Sequence, residues 1–251
     1  EEGVVDRNCL FGTSYGFTAL LEILDRARMH VATREAVKRA LDRFRHVMVE
    51  RYGIVPTSRR SATVGKQLID SVTDPERPGL VIVDFSAEGA PGVELSVKQF
   101  VVYYLAKLLF DSFVDYRMRN YARVAIFVIE EAQNYVPNTS VYPIGFSIAR
   151  NILSTVATQG RKFGLSLCLV TQRPLYVDPV IMSMVNTFII HRVPPSDVRF
   201  VETVTGGFPG YLSSRLTNME KGEAIVVGQM NPAPHPLIVK VRKRRRHSLA
   251  M

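Results

Sequence analysis

Between residues 80 and 241 the chain repeats one device: a short apolar run, rich in β-branched residues, then a stretch with helical spacing. The runs are LVIVDFS (80–86), AIFVI (125–129), LSLCLVT (165–171), TFIIHRV (187–193), AIVVG (224–228) and LIVKV (237–241). An apolar run without polar alternation is the sequence form of a strand buried on both faces. Helical segments fall between them, near Ser96–Arg119, Phe146–Thr158, Pro179–Met184 and Ser196–Val204. Strands alternating with helices predict an α/β fold, a mostly parallel sheet with helices on both faces. The last two runs, joined by the proline-rich NPAPHP (231–236), predict an antiparallel edge.

The first part of the chain has a different texture. Leu20, Leu21, Ile23 and Leu24 begin a helix that fades near His30. A second follows Thr33, with Val37, Leu41, Phe44, Val47 and Met48 on one face, and ends at Gly53 and Pro56. A third covers Val64 to Val72, and the turn-rich TDPERPG (73–79) closes the region. This predicts an N-terminal helical appendage over residues 1–78 and the main α/β domain over 79–241. A basic tail over 242–251 completes the chain.

Charge and cysteine content narrow the setting. Of the formal charge of +9, six positive residues lie in the last dozen: Lys240, Arg242, Lys243, Arg244, Arg245 and Arg246. Such a cluster can hold nucleic acid through its phosphates, or can be a solvated end. Cys9 and Cys168 give neither a metal spacing nor a disulfide framework. Cys168, inside an apolar run, is expected to be a buried thiol, and a reducing cytoplasm is the default. The most apolar stretch, Phe100 to Val114, is broken by Lys107 and Asp111 and is too short to cross a bilayer.

The chemistry concentrates where AIFVI runs into Glu130 and Glu131. In a parallel sheet the C-terminal strand ends face the ligand crevice. Two adjacent carboxylates there repel each other unless something positive binds. Nucleotide hydrolysis uses such a pair, one carboxylate for the Mg²⁺ shell and one to orient the attacking water. An acidic cap on the next segment is the other reading of the pair alone. The stretch QGRKFGLSLCLVTQRP (159–174) favours hydrolysis, because it puts Gln172 at the end of the neighbouring strand. A neutral amide there can bond both a phosphate oxygen and water. Arg161, in the turn before that strand, lies at the opposite end and is a candidate to reach a neighbouring subunit's nucleotide.

Four segments, IFVIEEAQNYVP, QGRKFGLSLCLVTQRP, NTFIIHRVPPSDVRFV and KGEAIVVGQ, resemble the HerA family of DNA translocases in order and spacing. More loosely, the chain is similar to FtsK and to conjugative coupling and secretion ATPases. The HerA resemblance implies a RecA-like core, ATP and Mg²⁺ as cofactors, and a homo-hexameric ring around double-stranded DNA. It also implies a NurA-type nuclease as partner in DNA end resection, and no membrane segment. By motif, Glu130 takes the Mg²⁺-associated position, Glu131 that of the catalytic base, and Gln172 that of the sensor. Arg161 is the candidate finger acting in trans, and Arg150 a weaker one. Thr187, Arg192 and Asp197 also follow the pattern, with strand-end and helix-cap roles as alternatives. Pore contacts are sought in loops 133–145 and 206–214, at Tyr135, Tyr142, Phe208 and Tyr211, and in the basic residues Lys240, Arg242, Lys243 and Arg244.

The departure from the family is the phosphate loop, G-x-x-x-x-G-K-[ST]. SATVGKQ (61–67) lacks the first glycine, has Gln67 in place of Ser or Thr, and follows no apolar strand. FSAEGAPG (85–92) has no lysine in register. The family's N-terminal barrel is missing as well, and the chain opens without methionine. These features read as the C-terminal part of a longer motor, inactive alone. A conjugation or secretion ATPase, or a catalytically dead interaction module, are the alternatives.

Overall fold

A computed structural model describes residues 14–51, 66–86, 92–207 and 209–243. The chain divides into two compact units, residues 1–101 and 102–251. The candidate loop at 61–67 is described only from Lys66, and Cys9, Phe208, Arg244 and the rest of the tail lie outside the described residues. So do residues 87–91, in the middle of FSAEGAPG.

The first unit is helical. α1 (Ser14–Arg26) and α2 (Val31–Phe44) are adjacent, and α2 continues as a π-helical stretch, Arg45–Arg51. His30 caps α2, its ring nitrogen accepting the Ala32 N–H at 3.3 Å. Val47 and Met48 pack on Val97, with Phe44 and Phe100 meeting edge to face at 5.6 Å. This is the apolar face read from the sequence. α3 (Lys66–Val72) ends at the expected turn, closed by the Gly79 N–H on the Val72 carbonyl.

The run at 80–86 corrects the sequence reading. It is not a strand, and Leu80 and Ile82 are 84% and 78% exposed. β-branched residues make a strand only where another edge takes their N–H and C=O groups, and none does here among the described residues. α4 (Leu95–Met118) follows.

In the second unit, β1 (Ala125–Ile129) and β2 (Leu165–Leu169) pair in parallel, Ala125 opposite Leu165 and Ile129 opposite Leu169. α5 (Arg150–Phe163) leads into β2 through Gly164, whose φ of +87° terminates the helix in the left-handed region. Ile152, Leu153 and Val156 of α5 are buried, and a Cβ on Gly160 would lie 2.4 Å from the Leu165 carbonyl oxygen. Helix and strand are thus in backbone contact. Phe110 of α4 meets Phe163 edge to face at 5.6 Å.

The α/β class stands, but the ladder differs in detail from one covered parallel sheet. Ile126 and Val128 of β1 are 70% and 53% exposed, and Cys168 opposite Val128 is exposed too. The expected burial of Cys168 fails because alternate residues of β2 point to a face that no described layer covers. A second sheet is antiparallel: β3 (Thr187–Ile190), β4 (Glu223–Gly228) and β5 (Leu237–Lys240), in that order. The expected β4–β5 edge is present; β3 joins it, and not β2. α6 (Pro179–Ser183) precedes β3. α7 (Pro195–Thr205) and α8 (Gly210–Asn218) cover the antiparallel sheet, with Val201, Leu212, Leu216 and Ile225 in its core.

Candidate active site at the ends of the parallel strands

The β1–β2 pairing continues past Ile129. The Val170 N–H bonds the Ile129 carbonyl at 2.9 Å, and the Ala132 N–H bonds the Val170 carbonyl at 3.0 Å. These bonds bring the two strand exits, Glu130-Glu131 and Thr171-Gln172, side by side. Between them the chain turns sharply: Glu131 sits at φ +50°, ψ +49°, a left-handed conformation that a β-carbon disfavours by about 1–2 kcal/mol. A short 3₁₀ turn, Ala132–Asn134, follows.

That turn separates the two glutamates. Glu130 is exposed. Glu131 is partly covered and accepts two amide hydrogen bonds, Gln172 Nε2 on Oε1 at 2.7 Å and Gln133 Nε2 on Oε2 at 2.6 Å. Gln133 is itself buried, and its Oε1 accepts the Thr171 hydroxyl at 2.6 Å. The Thr171 oxygen accepts the Arg173 N–H at 3.1 Å.

The loop after β2 is pinned from below. Asp197, fully buried at the start of α7, accepts the Arg173 guanidinium at 3.4 Å, the Leu175 N–H at 3.3 Å and the Ser196 hydroxyl at 2.7 Å. The bond to Asp197 pushes the Arg173 guanidinium upward from its ordinary value. Arg173 lies 4.3 Å over the Tyr176 ring, and Tyr142 stacks on Tyr176 at 4.8 Å. Loop 131–142 and loop 171–178 are therefore one packed body.

The structure brings Glu131 and Gln172 into direct contact. It places Arg161 elsewhere, exposed on the last turn of α5, before the N-terminal end of β2. The strand between Arg161 and Gln172, β2, has five residues and is about 16 Å long at roughly 3.3 Å per residue. Arg150 is held by Asp178, its Nε 2.9 Å from the carboxylate, and Asp178 also caps α6. That ion pair accounts for Arg150 without a finger role. Lys240 donates to Glu220 at 2.9 Å on an exposed surface, which pulls the Glu220 carboxyl down; Arg242 and Lys243 are exposed beyond it. Of the aromatic pore candidates, Tyr135 is buried, and burial pushes its phenol up. Tyr142 has one face on Tyr176, while Tyr211 is 68% exposed.

The sequence reading missed Gln133, Thr171 and the Arg173–Asp197 pair. Thr171 and Arg173 flank Gln172 directly, but Gln133 lies in an irregular turn, where no periodicity reveals its direction. As a metal donor set the site offers the exposed Glu130 carboxylate, with Glu131 already taken by two amides. Among the described residues no three His, Cys, Asp or Glu side chains group to hold an ion. One exposed carboxylate is a partner that a Mg²⁺ ion can take beside its water and phosphate oxygens.

A carboxylate and an amide thus stand together at the ends of two paired parallel strands, and the sequence comparisons agree with the HerA resemblance. No family model matches the chain. A probable helicase of Methanocaldococcus jannaschii is 34% identical over 148 residues, 57% of this chain and 27% of that protein. The DNA double-strand break repair helicase HerA of Saccharolobus solfataricus is 30% identical over 152 residues, 59% of this chain and 29% of the relative. HerA of Sulfolobus acidocaldarius is 38% identical over 89 residues, 35% of the chain and 18% of the relative. The chain thus spans less than a third of the length of these curated relatives. Among solved structures, the genome packaging NTPase B204 of Sulfolobus turreted icosahedral virus 2 with ATP-gammaS aligns at a TM-score of 0.45 and 13% identity, covering 70% of this chain and 72% of that one. VirB4 of Thermoanaerobacter pseudethanolicus also aligns at a TM-score of 0.45, with 15% identity over 71% of this chain and 48% of its own. No helix among the described residues is long and apolar enough to cross a membrane.

Proposed function

We propose that the chain carries the hydrolytic carboxylates of an ATP-driven, HerA-like DNA translocase. The Gln172–Glu131 hydrogen bond carries this reading, because it makes one unit of a carboxylate and an amide from two parallel strands. Such strand ends are where α/β sheets take their ligands. Glu131 orients the attacking water and accepts its proton, and Gln172 answers to the γ-phosphate by exchanging its bond to Glu131 for one to phosphate. Glu130 would hold the Mg²⁺ shell beside them, and the ion would supply charge neutralisation for the phosphates.

In this reading residues 79–241 are the C-terminal part of a RecA-like ATPase domain, residues 1–78 a helical appendage to it, and residues 242–251 a basic tail. Subunits assemble as a homo-hexamer around double-stranded DNA, with Arg161 completing the neighbour's site and Lys240, Arg242, Lys243 and Arg244 contributing positive charge. The partner class is a NurA-type nuclease, and the setting cytoplasmic. The 251-residue chain alone, with no phosphate loop in its sequence, binds ATP weakly and turns it over negligibly.

The test is ATP turnover by the polypeptide expressed from the complete native reading frame, with and without linear double-stranded DNA. Turnover that rises with DNA is expected. Turnover indifferent to DNA but raised by a protein substrate would favour a secretion ATPase. No turnover under any condition would leave an interaction module.

A further inference from the structure

Glu131 is gripped from two sides, and the two grips are unlike. Gln172 reaches it from an exposed position. Gln133 reaches it from a buried one, and its amide cannot turn over freely. The Thr171 oxygen accepts the Arg173 N–H at 3.1 Å, and the Thr171 hydroxyl donates to Gln133 Oε1, 2.6 Å away. With its oxygen so engaged, Gln133 turns its NH₂ group to Glu131 Oε2. The reverse amide orientation would set oxygen against carboxylate oxygen, acceptor against acceptor.

We propose that Gln133, locked by Thr171, is the positioning residue that aims the Glu131 carboxylate, while Gln172 is the partner that lets go. This rests on the reading of Glu131 as the base. The fixed amide holds Oε2 and with it the plane of the carboxylate. The exposed amide covers Oε1, the oxygen that water must reach. When Gln172 leaves for the nucleotide, Oε1 is freed in a direction that Gln133 has already set. The left-handed backbone at Glu131 makes such a hold necessary, since the side chain leaves a sharp turn and not a regular strand. The Arg173–Asp197 anchor keeps Thr171 in place from behind.

The test measures kcat and KM for ATP in the complete native polypeptide carrying Gln133→Met, Thr171→Val, Thr171→Ser, the Gln133→Met/Thr171→Val pair, or Glu131→Gln. Gln133→Met keeps the length of the side chain and removes the amide. It should lower kcat on the order of 10- to 100-fold, the scale of a reacting group displaced by about 1 Å, with KM little changed. Thr171→Val should lower kcat in the same way, and Thr171→Ser, which keeps the hydroxyl, should recover most of that loss. Because the two residues form one relay, the double variant should be no slower than Gln133→Met alone. If Gln133→Met fails to fold, the Thr171 pair decides the matter. Wild-type kcat in Gln133→Met or in Thr171→Val, or multiplied losses in the double variant, would overturn the relay. If Glu131→Gln is inactive in that case, the base assignment stands without it. A Glu131→Gln enzyme that turns over normally removes the base assignment itself, whatever the Gln133 variants do.

Discussion

Gly164 joins α5 to β2 and so sets the strand that carries Gln172, and its replacement by alanine can be worked out from the geometry. Two terms add. The left-handed φ of +87° disfavours an L-residue by about 1–2 kcal/mol. A Cβ built there would also lie 2.2 Å from the Arg123 carbonyl oxygen, so backbone has to move. That movement strains the Ala125 N–H bond to the Gly164 carbonyl, 3.0 Å long, which opens the β1–β2 ladder. Overpacking of this kind adds about 1–3 kcal/mol, so the two together come to about 2–5 kcal/mol. Gly206 is the internal control: its φ of +83° is nearly the same, but a Cβ there meets nothing within 4 Å. Gly206→Ala should therefore lose only the conformational part, about 1–2 kcal/mol. Native-state amide exchange at Ala125 and Val170, both bonded in the ladder, reads the difference. At roughly tenfold per 1.4 kcal/mol, exchange there should quicken on the order of 100-fold or more in Gly164→Ala. It should change far less in Gly206→Ala. Equal effects from the two variants would refute the close-approach argument.

Three further outcomes follow from named residues. Mixing inactive Arg161→Ala subunits with inactive Glu131→Gln subunits should restore ATP turnover if Arg161 acts in trans, because some interfaces then hold both intact residues; no recovery at any mixing ratio would place Arg161 outside the neighbour's site. Asp178→Ala removes the cap of α6 and the partner of the half-exposed Arg150, and should lower stability by about 2 kcal/mol in a urea titration; an unchanged midpoint would contradict the structural role given to that pair. Double-stranded DNA binding should weaken steeply with salt, and neutralising Arg242 and Lys243 should flatten that slope by roughly one unit for each phosphate left without its cation; an unchanged slope would exclude the tail.

How far the sequence carried can be seen at particular residues. β1 and β2 were legible because their apolar runs end abruptly in polar residues, and the same runs put Glu131 near Gln172. LVIVDFS is similarly apolar yet lies outside any ladder and is exposed, since propensity describes a residue's fit to a strand and not the presence of a neighbouring edge. Cys168 failed for a related reason: an apolar run does not say whether both faces of its sheet are covered. The second amide on Glu131 was out of reach. Gln133 acts from a turn opened by a left-handed glutamate, and only the three-dimensional path of residues 131–134 aims it at the carboxylate. Asp197 followed the HerA pattern in sequence, but its work as the buried anchor of Arg173 appears only in the folded chain.

Glu131 as the base of an ATP hydrolysis site is tested most directly by measuring ATP binding and ATP turnover side by side in the complete native polypeptide carrying Glu131→Gln. Binding should stay close to that of the unmodified protein and turnover should fall by at least about 100-fold, the usual contribution of a general base. Turnover at the unmodified rate, with binding intact, would contradict it.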